Sequence, residues 1–167
     1  MRTKPILKKF KRFLLLDNIR SVHNVGSIFR TAETIGIDKI YCCGTTPTPV
    51  DRFGRKREDF AKVALGAQEI VGWEYFESAE VMLKKLRKSY NSKFVIISLE
   101  QDEKTVDYKK IKINSDSLII LGNEVEGVSK KLLKLSDIVA EIPMLGKKES
   151  LNVSVAGGIF LFRIFDR

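Results

Sequence analysis

The run SLIILG, residues 117–122, followed by NEVEGVSK, residues 123–130, decides the reading of the whole chain. Four apolar residues in succession, two of them β-branched, give no polar–apolar alternation. A strand of that kind is covered on both faces, as in a parallel sheet between helices. A loop of glycines and acids ends it, and a helical pattern over 128–135 follows. The same grammar extends in both directions. β-rich runs occur at 13–19 (FLLLDNI), 39–44 (KIYCCG), 93–99 (KFVIISL) and 137–142 (DIVAEI). Helical patterns lie at 25–36, about 57–71, 78–89 and 152 to about 165. Strand and helix in alternation predict one α/β domain over 1–167, a mostly parallel sheet with helices on both faces.

The chain has 167 residues, 44% of them hydrophobic, enough for a core. Thirty Lys and Arg stand against 21 Asp and Glu, a net charge of +9, which favours a polyanion or an anionic membrane surface as partner. No apolar run reaches membrane-spanning length; the longest is broken by Gly157, Gly158 and Arg163. The opening MRTKPILKKFKRFLLL lacks a small-residue cleavage site, and its apolar end fits a first strand better than a signal core. Positive residues cluster at Lys8, Lys9, Lys11 and Arg12, at Arg52, Arg55, Lys56 and Arg57, and in three later groups. The second group lies in the one long loop, TTPTPVDRFGRKRED, residues 45–59, whose prolines mark it as exposed. Cys42 and Cys43 are neighbours on a strand, so they face opposite sides and are poorly placed to pair. Reduced thiols in a cytoplasmic protein are expected. Two cysteines and one histidine leave too few ligands for a zinc site. His23 has no placed partner for a triad and reads as a local loop contact.

Three strand ends are unusual, and open α/β sheets bind ligands at the carboxyl ends of their strands. Strand 93–99 runs into Glu100. Strand 117–122 runs into GNEVEGVS, where Gly122, Gly127 and Ser129 resemble a phosphate loop but Val128 occupies the lysine position. Its acids would repel phosphate. That loop either caps the next helix as a tight turn or holds a ligand with hydroxyls and a positive centre, such as S-adenosylmethionine. Strand 137–142 runs into PMLGKKESLN, where Ser150 is a candidate N-cap for the last helix and Asn152 falls in its first turn. Similarly, Asn24 stands at the cap position of NVGSIFRTAETIG, residues 24–36, with Arg30 pointing away from that helix's apolar stripe. The last helix, NVSVAGGIFLFRIFD, is apolar nearly all round and carries small residues, which suits either a buried core helix or a subunit interface.

NVGSIFRTAETIG (24–36), LIILGNEVEGV (118–128) and IPMLGKKESLNVSVA (142–156) together resemble the three motifs of the SpoU/TrmH family, a branch of the SPOUT-class RNA methyltransferases. KVALGAQE, residues 62–69, resembles a further segment common there. The resemblance implies a deep C-terminal trefoil knot, an obligate homodimer and methyl transfer from S-adenosylmethionine to a ribose 2′-hydroxyl of tRNA or rRNA. It implies catalytic roles for Asn24, Arg30, Glu124, Ser150 and Asn152, and cofactor contacts at Leu99, Gly122, Glu124, Gly127, Ile142, Met144 and Leu151. No metal and no membrane enter this chemistry. With no separate RNA-binding domain expected, substrate contacts would fall to Arg30 and to Arg52, Arg55, Lys56 and Arg57, and a compact RNA, tRNA before rRNA, is favoured. A guanidinium keeps its proton at physiological pH, so Arg30 suits a phosphate and oxyanion clamp better than a base. The competing readings are an RNA-binding protein of the same fold without catalysis and a knotted base methyltransferase.

Overall fold

The computed structural model describes residues 9–90, 94–102 and 104–165; Lys8 and the first residue of the 93–99 run lie outside the described residues. Seven strands form one sheet: β1 (Arg12–Asp17), β2 (Lys39–Cys43), β3 (Gly72–Phe76), β4 (Val95–Leu99), β5 (Val106–Asp107), β6 (Ser117–Leu121) and β7 (Ile138–Glu141). Their order is β3-β2-β1-β6-β4-β7-β5, and every neighbouring pair is parallel. All seven strands therefore point their carboxyl ends at one edge. β6 enters between β1 and β4, so the ends of β6, β4 and β7 stand side by side. That order is consistent with the knot that the resemblance implies.

Helices cover both faces. α1 (Val22–Ile35), α2 (Glu58–Ala64), α3 (Ala67–Ile70) and α6 (Val153–Ile164) supply one layer, and α4 (Ala79–Ser89) and α5 (Lys130–Leu135) the other. The strands divide their side chains between the layers with the period of two that a pleated strand imposes. Leu14 and Leu16 join the first core and Phe13 and Leu15 the second; Ile119 and Leu121 oppose Leu118 and Ile120 in the same way. Cys42 and Cys43 are parted likewise, both buried and free. α1 forms because Val25, Ile28, Phe29, Ala32 and Ile35 recur on one face and are buried together. Phe29 meets Phe60 of α2 edge-on, centroids 5.1 Å apart, and removing either ring would cost about 3–5 kcal/mol.

The structure corrects several expectations. Residues 57–71 are two helices, because Leu65 turns left-handed (φ 49°) and Gly66 follows at φ 89°. β3 was not expected: GWEYF is half exposed at the sheet edge, so it lacks the apolar run of the central strands. β5, two residues long, is too short to leave a pattern. The 44–57 connection is folded upon itself, with Val50 bridged to Lys56. Among the described residues, no helix is long and apolar enough to cross a membrane.

Candidate active site

The loops after β4, β6 and β7 enclose a cleft of about 190 Å³. Leu99, Glu100 and Gln101 line it from the first loop, and Gly122 to Val125 with Gly127 from the second. Glu141, Ile142, Met144, Ser150 and Leu151 come from the third, with Leu121 beneath and Val153 and Ala156 of α6 beside them. All seven residues expected at a cofactor are thus in one cleft.

The second loop is rigid for local reasons. Asn123 and Gly127 exchange backbone hydrogen bonds of 3.0 Å each way, and the Asn123 side chain accepts from the N–H groups of Val125 (2.8 Å) and Glu126 (3.0 Å). Asn123 also donates to the Asn18 carbonyl at 2.7 Å, tying the loop to the end of β1. A Cβ on Gly122 would collide with the backbone of Gly127 and Val128, and Gly127 itself needs φ 68°. The Glu100 carboxylate fills the space beside Gly127, accepting from Val128 N–H at 2.6 Å and from Gln101 N–H at 2.8 Å. Gln101 then donates its side-chain amide to the Glu149 carbonyl at 2.7 Å, joining the first loop to the third.

Glu124 links all three motifs. Its carboxylate accepts from Arg20 N–H (3.0 Å), Ser21 N–H (3.1 Å) and the Asn24 side chain (2.8 Å). Asn152 in turn donates to the Asn24 side-chain oxygen at 3.0 Å. Partial burial pushes the Glu124 carboxyl up, but the hydrogen bonds from Arg20, Asn24 and Ser21 together outweigh it and hold the group below its ordinary value. Glu124 is therefore a carboxylate at neutral pH, placed at the amino end of α1 where the helix dipole favours it.

Two capping expectations fail here. Ser21, not Asn24, caps α1, accepting from Asn24 N–H at 3.2 Å. Asn152, not Ser150, caps α6, accepting from Ser154 N–H at 2.9 Å. Both expected sites placed the cap wrongly because two polar residues competed for each helix start. The consequence is chemical: the Asn24 side chain is released from capping and reaches Glu124. Ser150 stays in the loop, exposed on the cleft wall. His23 is an exposed residue in the first turn of α1, not in a loop.

Arg30 lies two turns further along α1, exposed and not among the residues of the cleft wall. Among the described residues, no ion pair or hydrogen bond engages its guanidinium. The basic loop behaves otherwise. Arg55 pairs with Asp51 (2.7 Å), Lys56 with Glu69 (2.9 Å) and Arg57 with Asp59 (2.7 Å), while Arg52 has no ion pair among the described residues. Exposed pairs of this kind contribute about 0–1 kcal/mol and exchange readily for phosphate. Sequence reading overlooked Gln101 and Asn123. Asn123 had a signal, its place directly after a strand-ending glycine; Gln101 had none, since its partner lies 48 residues away.

The cleft has no Lys or Arg on its wall, but three carboxylates, and half of its lining residues are apolar. That donor set rejects phosphates and suits a flat apolar ring, hydroxyls and a positive centre. Among the described residues, no cluster of three or more His, Cys, Asp or Glu could hold a metal ion.

The sequence pattern of the SpoU rRNA Methylase family matches residues 11–162. The chain belongs to that family. Over 163 residues it is 28% identical to a tRNA (guanosine(18)-2′-O)-methyltransferase of Aquifex aeolicus, covering 96% of this chain and 72% of that protein. It is 35% identical over 165 residues to an uncharacterized tRNA/rRNA methyltransferase of Borreliella burgdorferi, covering 95% of this chain and 68% of that protein. The crystal structure of an AdoMet-bound rRNA methyltransferase from Sinorhizobium meliloti has the same fold, with a TM-score of 0.81 at 24% identity. The match covers 92% of this SpoU-family chain and 55% of that one, so the chain spans about half the length of the solved protein.

Proposed function

We propose that this SpoU-family chain is an S-adenosylmethionine-dependent RNA methyltransferase that acts on a ribose 2′-hydroxyl, in tRNA before rRNA. The observation that carries the reading is the convergence of the three motifs. Asn24, Glu124 and Asn152 are hydrogen-bonded in series beside a cleft lined by Leu99, Gly122, Gly127, Ile142, Met144 and Leu151. The relatives' names supply the reaction class.

When bound, S-adenosylmethionine supplies an electrophilic methyl group on a positive sulfur. The chain's own residues account for the rest. The apolar walls at Leu99, Ile142 and Leu151 exclude water and hold a ring, and the carboxylates of Glu100, Glu124 and Glu141 favour a positive centre. Ser150 and Asn152 stand at the rim to position the sugar, which removes much of the entropic barrier. Arg30 clamps the adjoining phosphate and stabilises the negative charge that grows on the 2′-oxygen as its proton passes to bulk water. Because Arg30 is not on the wall of its own cleft, that charge would come from a second copy. Support comes from α6, whose Val155, Ile159 and Phe162 are 49%, 41% and 39% exposed along one face. Gly157 packs against Leu121 within the chain, whereas a Cβ on Gly158 would meet nothing, leaving room for another backbone. A homodimer buries both features. A cytoplasmic location and a single domain over 1–167 fit the same reading.

The test is incubation with labelled S-adenosylmethionine and unmodified total RNA, then digestion to nucleosides, with sedimentation in parallel. A ribose-methylated nucleoside from a dimer is expected. A methylated base, or RNA binding with no transfer, would overturn the reaction; a stable active monomer would overturn the shared site.

A further inference from the structure

We propose that Phe53, at the tip of the β2–α2 connection, is a stacking platform for an unpaired base of the RNA substrate; this rests on the reading of the chain as an RNA enzyme. Single exposed apolar residues are ordinary on protein surfaces. Phe53 differs in how firmly it is held out. The ring is 66% exposed, yet its loop is fixed from both sides. Asp51 closes the tip: its carboxylate accepts from Phe53 N–H at 2.8 Å, from Arg55 N–H at 3.0 Å and from Arg55 Nε at 2.7 Å. Backbone bonds from Asp51 to Arg55 (2.9 Å) and from Gly54 to Asp51 (2.9 Å) complete the turn. At the base, Thr46 donates to the Leu16 carbonyl at 2.9 Å and accepts from Ile19 N–H at 3.1 Å, tying the loop to the end of β1. An aromatic ring on a floppy loop would collapse onto the surface; this one is braced in water.

Its neighbours are cationic. The guanidinium carbons of Arg52 and Arg55 lie 4.7 and 5.1 Å from the ring centroid. Arg55 is held by Asp51, whereas Arg52, with no ion pair among the described residues, can leave the ring face to an unpaired base and meet its phosphate. The loop leaves the carboxyl end of β2, and all strands are parallel, so it stands on the same sheet edge as the cleft. Among the described residues, Phe53 is not on the cleft wall. Duplex RNA, whose bases are already stacked, cannot engage it, so the site selects a loop or a single strand.

Phe53→Trp in a Trp73→Phe background, where it is the sole tryptophan, provides a direct reporter. Its fluorescence is expected to be quenched by a single-stranded oligonucleotide and much less by the same sequence in a duplex. Phe53→Ala should weaken RNA binding and raise KM for RNA about tenfold, the loss of one stacked base. S-adenosylmethionine affinity and sedimentation mass should hold. Quenching that is absent or equal with duplex, unchanged RNA affinity in the alanine variant, or a changed sedimentation mass overturns the proposal; the last would assign Phe53 to an interface between copies. A wild-type protein that binds RNA but transfers no methyl would overturn the enzyme reading alone, since the Phe53→Ala loss of RNA binding can still be measured.

Discussion

The amino end of the first helix and the stretch that follows it have opposite fates. At its amino end, Asn24 is held between Glu124 and Asn152, residues that lie 100 and 128 positions away in the chain. Two turns on, Arg30 projects from the same helix with no partner among the described residues. The first is hydrogen-bonded within the chain; the second stays exposed, and its role as a clamp for an RNA phosphate belongs to the proposed function.

Substitution of Arg30 by Ala tests the exposed stretch and should have the largest effect. Methyl transfer is expected to fall about 10²–10³-fold, the loss of one charge-stabilising donor. Calorimetric affinity for S-adenosylmethionine should stay put, and a parallel loss of that affinity would erase the distinction between the two. Gly122→Ala attacks the hydrogen-bonded end next. The added methyl group runs into the backbone of Gly127 and Val128. Overpacking of this kind costs about 1–3 kcal/mol, so thermal unfolding should shift down and cofactor binding should fail together.

A gentler probe is acid. Glu124 is held below its ordinary value of 4.5 in the folded state. A lowered carboxyl stabilises the fold fully above that value and loses its contribution as pH falls through the folded one. The stability difference between wild type and Glu124→Gln should therefore be constant from neutral pH down to about 4.5 and shrink below it. A difference independent of pH would mean that the carboxylate charge does not matter to the cluster. The smallest effect concerns the core. Burial pushes the Cys42 thiol far up, and burial with Asp17 and Glu80 nearby pushes Cys43 up to about 12. Alkylation of the native protein at pH 8 should be negligible, while the unfolded chain should take up label at both cysteines.

Much of this was legible in the residues. FLLLD, VIISL and SLIIL announced central parallel strands, because strands buried on two faces cannot alternate. The edge strand GWEYF escaped notice for the converse reason: it is half solvated and shorter of apolar residues. The residues of the glycine-and-acid loop after β6 left a capping turn and a ligand site both open; the motifs named the cofactor residues, and each of them lines the cleft. The caps were misjudged. Ser21 and Asn24 are both good cap residues, as are Ser150 and Asn152, and local sequence cannot choose between them. Long-range hydrogen bonds chose.

The sequence by itself determined which residues are apolar, where strands and helices alternate, and which loops carry unusual chemistry, since those follow from periodicity and residue type. Only the tertiary structure decided that β6 enters between β1 and β4 and that Glu124 meets Asn24 and Asn152. These are pairings between distant segments. Their free energy depends on which strands lie side by side, and no local pattern of residues encodes that.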